Sequence, residues 1–216
     1  MFRPLFTFIL ERLTVAAVGV AATLAIFVLL AHEVHAGETL QFDSAVHHFF
    51  QARQSPSIHS LMEVLSVFAS GWVISAISVG CIFVFALRPA LRYHAAALFL
   101  AGAGGQGIVY ALKALFHRAR PEAAFASLGY SFPSGHAFAA VTIYGMLAYW
   151  LRRDENAPRR NSVGIAALLL IVSIGFSRIY LGVHYASDVA AGYASGLLWL
   201  WGCLALSRLG SMRERL

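Results

Sequence analysis

Long apolar stretches fill most of the chain, separated by short polar joints. A helix needs about 20 apolar residues to cross a bilayer. Six stretches meet that need, at residues 13–31, 62–87, 93–115, 134–151, 163–181 and 185–206. Inside the second, Ser70-Gly71 marks a possible outer boundary. Between the first two lies the more polar segment 36–58, where Phe42, Val46, Phe49 and Phe50 recur at helical spacing. That pattern predicts an amphipathic helix resting on the membrane surface. The expected fold is an all-α integral membrane protein, with six transmembrane helices and one interfacial helix between the first and second. It forms one domain over residues 1–216, because no polar segment is long enough to hold a core of its own.

Composition agrees with the pattern. Of 216 residues, 59% are hydrophobic and 12% charged, with mean hydropathy +0.71, against about 25% charged in ordinary soluble domains. The net charge of +6 comes from basic residues clustered between apolar runs. Such placement argues against nucleic-acid binding and serves as a topology signal. Arg3, Arg12, Arg88, Arg92, Arg152, Arg153, Arg159, Arg160, Arg208, Arg213 and Arg215 fall on one side. Arg53, Lys113, Arg118, Arg120 and Arg178 fall on the other. The first side is expected to be cytoplasmic and to hold both termini; Tyr93, Tyr149, Trp150, Trp199 and Trp201 lie near it as an aromatic belt. Residues 13–31 follow Arg3 and Arg12 as a signal peptide's core would, but the run exceeds the usual length of roughly 7–15 residues, so a retained first helix is expected. Cys81 and Cys203 sit inside apolar runs without metal-ligand spacing and are read as packing residues.

Ionisable residues at membrane depth are costly and tend to mark working sites. Three such groups converge on the predicted outer face: Lys113 with Arg120-Pro121; Pro133-Ser134-Gly135-His136; and Ser177-Arg178 with His184 and Asp188. His184 and Asp188 are four apart, one helical turn. The carboxylate can hold one imidazole nitrogen's proton and leave the other free to attack. Pro133 suits a first helical turn, where Ser134 and Gly135 can present a hydroxyl and backbone N–H groups to an anion. His136 follows directly, placed to protonate a departing oxygen. Lys113, Arg120 and Arg178 add fixed cations, which suit the charge that phosphoryl transfer spreads over three oxygens. Arg53 and Arg118 are read as snorkelling interfacial cations.

Taken together, the pattern K-x6-R-P, P-S-G-H and S-R-x5-H-x3-D resembles the type 2 phosphatidic acid phosphatase family. That family is the membrane branch of a superfamily which includes vanadium haloperoxidases and glucose-6-phosphatase. The resemblance implies His184 as a nucleophile that becomes phosphohistidine, with Asp188 orienting it and His136 as general acid. It implies phosphate binding by Lys113, Arg120, Ser134, Gly135 and Arg178, with no metal and no cofactor. The implied partner is a membrane lipid phosphate in the bilayer, hydrolysed at the outer face of a bacterial inner membrane. Undecaprenyl diphosphate leads among candidates that include phosphatidylglycerol phosphate and phosphatidic acid, since the motifs read only the phosphate. Oligomeric state stays open.

A phosphotransferase of the same family would use the same residues. A haloperoxidase is disfavoured by size and solubility. An anion transporter is disfavoured because the charges leave the predicted cytoplasmic half without a relay. Outside the motifs, His32, His35, His47, His48 and His59 occur as pairs and singles, read as surface residues rather than a metal site. His117 lies near the predicted pocket, and His94 on the opposite side. Gly192 and Gly196 form a small-xxx-small step suited to helix packing.

Overall fold

A computed structural model describes residues 3–88, 91–122, 128–152 and 160–213. Helix α1 (Arg3–Ala36) is followed by α2 (Leu40–Gln51), α3 (Pro56–Val67) and α4 (Gly71–Ala86). Next come α5 (Arg92–Phe99) and α6 (Gly105–Phe116), joined without a break by a π-helical turn at Leu100–Gly104. Then α7 (Gly135–Ala139) and α8 (Gly145–Leu151) flank a second π turn at Ala140–Tyr144, before α9 (Arg160–Tyr180) and α10 (Ala186–Arg213). Among the described residues, five stretches are long and apolar enough to cross a membrane: Thr14–Ala36, Pro56–Ala86, Arg92–Phe116, Arg160–Tyr180 and Ala186–Arg208. The expected 134–151 segment is helical too, but its parts of 5, 5 and 7 residues make a shorter helix than these.

Two boundaries differ from expectation. The second stretch begins earlier, at Pro56, because Ser55 caps α3 by accepting the Ile58 N–H at 3.3 Å. It then breaks at Ser70-Gly71, where the Ser70 hydroxyl donates to the Val67 carbonyl at 2.6 Å, separating α3 from α4. Segment 36–58 is largely α2, and it has two distinct faces. Phe42 and Phe49 are exposed, while Phe50 packs edge-on against Phe176 at 5.3 Å and Asp43 is fully buried.

Helix α10 is the axis of the fold, touching α1, α2, α5, α7, α8 and α9. Gly192 and Gly196 make the closest of these approaches possible. A Cβ at Gly192 would lie 2.6 Å from the Ser134 carbonyl oxygen, and one at Gly196 2.8 Å from that of Phe138. The small-xxx-small step is therefore a seat for the backbone of α7. Both π turns also find partners on α10. Thr142 Oγ1 donates to the Phe138 and Gly196 carbonyls at 2.8 and 3.2 Å, and Trp199 Nε1 donates to the Ala101 carbonyl at 3.3 Å. A π turn disrupts the regular ladder, and neighbouring donors compensate. Leu98, Ile143 and Met146 fill the middle with Cys203 buried among them, and Ile174 packs with Ala69 and Ala140 in a second, smaller cluster.

Candidate active site

The three motifs meet at one end of the bundle. Ser134 donates its backbone N–H to the Asp188 carbonyl at 3.0 Å, tying the second motif to the third through the main chain. Its hydroxyl is buried and faces the Ala137 N–H at 3.5 Å as the N-cap of α7. The Phe132–Pro133 peptide is cis. Gly135 follows in a narrow space: a Cβ there would lie 3.4 Å from Val109 on α6.

His184 sits in the turn between α9 and α10, just past Gly182, whose φ of 70° is readily available to glycine. The ring is 3% exposed. Nδ1 faces Asp188 Oδ2 at 3.4 Å, a contact longer than a full hydrogen bond. On the other side, Arg120 Nη1 is 3.3 Å from Nε2. A guanidinium can only donate, so Nε2 accepts and the proton resides on Nδ1. Nε2 is thereby the nitrogen with the free lone pair. Burial pushes the imidazole down to about 4, against the pull of Asp188, so the ring is neutral near neutral pH.

A cavity of about 730 Å³ opens in front of His184, and Lys113, Arg120, Gly135, His136 and Arg178 line it with the histidine. Each cation is held from behind. Lys113 Nζ donates to the carbonyls of Tyr130 and Ser131, the latter at 3.2 Å. Arg120 donates to the carbonyls of Val183 at 2.7 Å and Gly129 at 2.9 Å. Arg178 Nη1 donates to the Ser66 hydroxyl of α3, while its buried Nε has no hydrogen-bond partner among the described residues. Thus six of the expected residues line the cavity. Ser134 and Asp188 stand behind it, both fully buried.

One expectation is overturned. Arg118 is not a snorkelling cation: its side chain is 12% exposed and bridges two buried carboxylates. Nη1 donates to Asp188 Oδ1 at 2.6 Å and Ser187 Oγ at 2.7 Å. Nη2 donates to Asp43 Oδ2 at 2.7 Å and Thr39 Oγ1 at 3.1 Å. Asp43 Oδ1 also accepts the Ser187 N–H at 3.0 Å, and the guanidinium lies 4.4 Å from the Tyr185 ring centroid. Burial alone would lower the charge of Arg118, but Asp188 and Asp43 together hold its guanidinium above its ordinary range. The chain of contacts runs His184–Asp188–Arg118–Asp43, so α2 is tied to the histidine. The one sequence signal was that Asp43 shares a helical stripe with Val46 and Phe50, which puts its carboxylate on the face those apolar residues present. Arg53 behaves as expected, folding onto Phe49 with its guanidinium 3.8 Å from the ring centroid.

His117 lies outside the cavity lining; at φ 47° it ends α6, its ring 4.6 Å from that of Tyr130. His47 faces Glu122 at 3.9 Å and His59 faces Glu63 at 3.6 Å. Among the described residues, no group of three or more His, Cys, Asp or Glu is placed to hold a metal ion.

Comparison with known proteins gives a consistent picture. The sequence profile of the PAP2 superfamily matches residues 90–209. Phosphatidylglycerophosphatase B of Bacillus subtilis (strain 168) is 40% identical over 93 residues, which is 40% of this chain and 45% of that protein, so the match spans under half its length. A probable lipid phosphate phosphatase beta of Arabidopsis thaliana is 27% identical over 206 residues, covering 82% of this chain and 93% of the relative. In fold, the chain is similar to the crystal structure of a transmembrane PAP2 type phosphatidylglycerolphosphate phosphatase from Bacillus subtilis. The TM-score is 0.76 at 23% identity, covering 88% of this chain and 96% of the other.

Proposed function

Because the chain belongs to the PAP2 superfamily, we propose that it is a membrane lipid phosphatase working through a phosphohistidine at His184. The observation that carries the proposal is the position of His184 Nε2, unprotonated and beside Arg120, at the wall of a cavity lined by Lys113, Arg178 and His136. The relatives described as phosphatidylglycerophosphatase and lipid phosphate phosphatase support the same substrate class.

The phosphate seats among Lys113, Arg120 and Arg178, with the Gly135 backbone beside it and Ser134 shaping the loop. Nε2 attacks phosphorus as the bond to the leaving oxygen breaks, and His136 gives that oxygen its proton. Charge on the three equatorial oxygens is met by guanidinium and ammonium groups already fixed to backbone carbonyls, so little reorganisation accompanies the reaction. Asp188 stabilises the positive charge that the ring gains. Water then attacks the phosphohistidine, His136 accepts its proton, and inorganic phosphate leaves with the ring restored. The cations supply the charge stabilisation that metal ions provide elsewhere, so turnover proceeds without a divalent ion.

Helix 135–151 is proposed as a sixth span beside the five long ones, and α2 as lying at the membrane interface. The basic-residue count supports a site on the outer face, and the proposed location is a bacterial inner membrane. A phosphotransferase shares the first half of this cycle, and an added acceptor lipid distinguishes it by capturing the phosphoryl group.

Purified protein in detergent with EDTA, assayed for phosphate release from phosphatidic acid, phosphatidylglycerol phosphate and undecaprenyl diphosphate, tests the proposal. Release that disappears in His184→Ala supports it. Release unchanged in that variant overturns the mechanism.

A further inference from the structure

The cavity does not end at the phosphate cradle. It continues as a groove between α4 and the α5–α6 helix, walled by Ile74, Val79, Leu98 and Phe99. Val79 and Phe99 are 66% and 64% exposed, so the groove opens sideways to the surroundings of the bundle. Three uncharged polar residues interrupt this apolar wall: Ser75 and Ser78 on α4, and Gln106 on α6. The phosphate chemistry uses none of them. Gln106 lies near the middle of the span Arg92–Phe116, and the Ser78 hydroxyl is buried without a partner among the described residues. Polar groups so placed are costly unless something pairs with them.

Their depths can be read from neighbouring contacts. A Cβ at Gly135 would touch Val109 at 3.4 Å, which puts Val109 level with the cradle. Gln106 is three residues away from it towards the opposite end of the span, hence about 4.5 Å deeper. A Cβ at Gly102 would lie 3.9 Å from the Ser78 hydroxyl, which places Ser78 about one turn deeper again. Helices α4 and α5 follow one another in the chain, pack side by side and run antiparallel. Moving from Ser78 back to Ser75 therefore climbs towards the level of Gln106. The wall carries a rung of hydrogen-bond donors at Gln106 and Ser75, with Ser78 beneath.

We infer that Gln106, with Ser75, forms a subsite for the ester carbonyls of a diacylglycerol phosphate. With its phosphate in the cradle, such a lipid carries its ester carbonyls within a few bonds of the phosphate oxygen. Those carbonyls can only accept, and an amide N–H and a hydroxyl can donate. An ether-linked chain lacks the carbonyl and offers only its weaker, differently placed ether oxygen, and a prenyl chain offers no acceptor at that depth and leaves the donors facing hydrocarbon. A site built to hydrogen-bond a substrate group rejects the analogue that lacks it. The inference rests on the lipid phosphatase proposal, which it narrows from any lipid phosphate to ester-linked glycerolipids, and it ranks undecaprenyl diphosphate below them.

The test measures affinities by native mass spectrometry in detergent, using His184→Ala so that no lipid is consumed. The probes are diacyl phosphatidic acid, its dialkyl ether analogue and a prenyl phosphate. The diacyl lipid should bind about tenfold tighter than the ether analogue, the ratio that one hydrogen bond supports. Adding Gln106→Leu should bring that ratio to about one. Gln106→Asn, which keeps an amide, should restore part of it, and thermal unfolding of each variant verifies folding. Equal binding of ester and ether lipids overturns the inference. So does a preference that survives Gln106→Leu, or prenyl phosphate binding as tight as the diacyl lipid. Phosphate release by the wild-type protein is scored separately: ester selectivity without release sinks the phosphatase proposal alone, and release without selectivity sinks the subsite alone.

Discussion

The two walls of the catalytic cavity are built in opposite ways. One is the α7 segment, whose Gly135, His136 and Ala139 line the cavity, seated on α10 behind it; 50% of the apolar window in Ala186–Arg208 is buried. The other is α4, part of the span Pro56–Ala86, whose window is only 11% buried. On the first wall nearly every polar group is engaged: Asp188 receives Arg118 and the Tyr185 N–H, Ser134 is bonded to Asp188, and Gly192 admits the loop backbone. On the second, large apolar side chains such as Trp72, Val79 and Phe83 face outward. Under the proposed mechanism, the groups that would hold a reacting phosphorus stand on the buried frame, and the wall that would meet a flexible lipid chain is left open.

The largest way to break this comparison is His184→Ala. It should lower kcat by at least about 10³-fold while leaving the melting temperature nearly unchanged, since a catalytic group contributes little to packing. A comparable loss of both would mean that the histidine is structural.

Arg118→Ala comes next. It leaves Asp43 and Asp188 buried without their shared cation, a situation that costs about 3–5 kcal/mol. Thermal unfolding should register that loss, and kcat should fall with it. Arg118→Lys should recover only part of both, because a single ammonium cannot reproduce the two-armed bridge. Full recovery by lysine would show that charge alone matters.

Glycines give a paired test at smaller scale. Gly192→Ala forces a methyl to 2.6 Å from the Ser134 carbonyl, which should cost about 1–3 kcal/mol and lower kcat by moving the loop. Gly80→Ala on α4 and Gly107→Ala on α6 meet nothing within 4 Å. Both should be neutral or stabilising by up to about 1 kcal/mol in the same unfolding assay. Equal effects on the two walls would erase the contrast.

The smallest effect concerns pH. Folding lowers the His184 pKa to about 4 from an ordinary value near 6.5. Between those values the unfolded chain binds more protons, so stability from this group is complete above about pH 6.5 and declines as pH falls towards 4. The acid limb of kcat/KM should likewise lie near pH 4, because it reports the free enzyme's base. An acid limb at pH 6 to 7 would mean that the nucleophile is better solvated than the burial of His184 allows.

Hydropathy alone determined much of this protein, because the bilayer demands long apolar helices whatever they pack against. Five of the six expected spans correspond to the long apolar stretches found among the described residues, the second starting earlier at Pro56, and Ser70-Gly71 was already visible as a possible boundary. The cavity residues were legible as well, since charges so costly at membrane depth stand out in any apolar background. What tertiary structure decided was the pairing of those charges. Arg118 and Asp43 lie 75 positions apart, and no local rule joins a loop cation to a carboxylate on another helix. Seen singly, Arg118 satisfies the pattern of a surface arginine and Asp43 that of a helix-start acid. Only the docking of α2 against α10 buries both, and burial compels them to pair. The depth of Gln106 likewise acquires meaning only when α4 closes the groove beside it, because the cost of a polar group depends on what the fold sets opposite it.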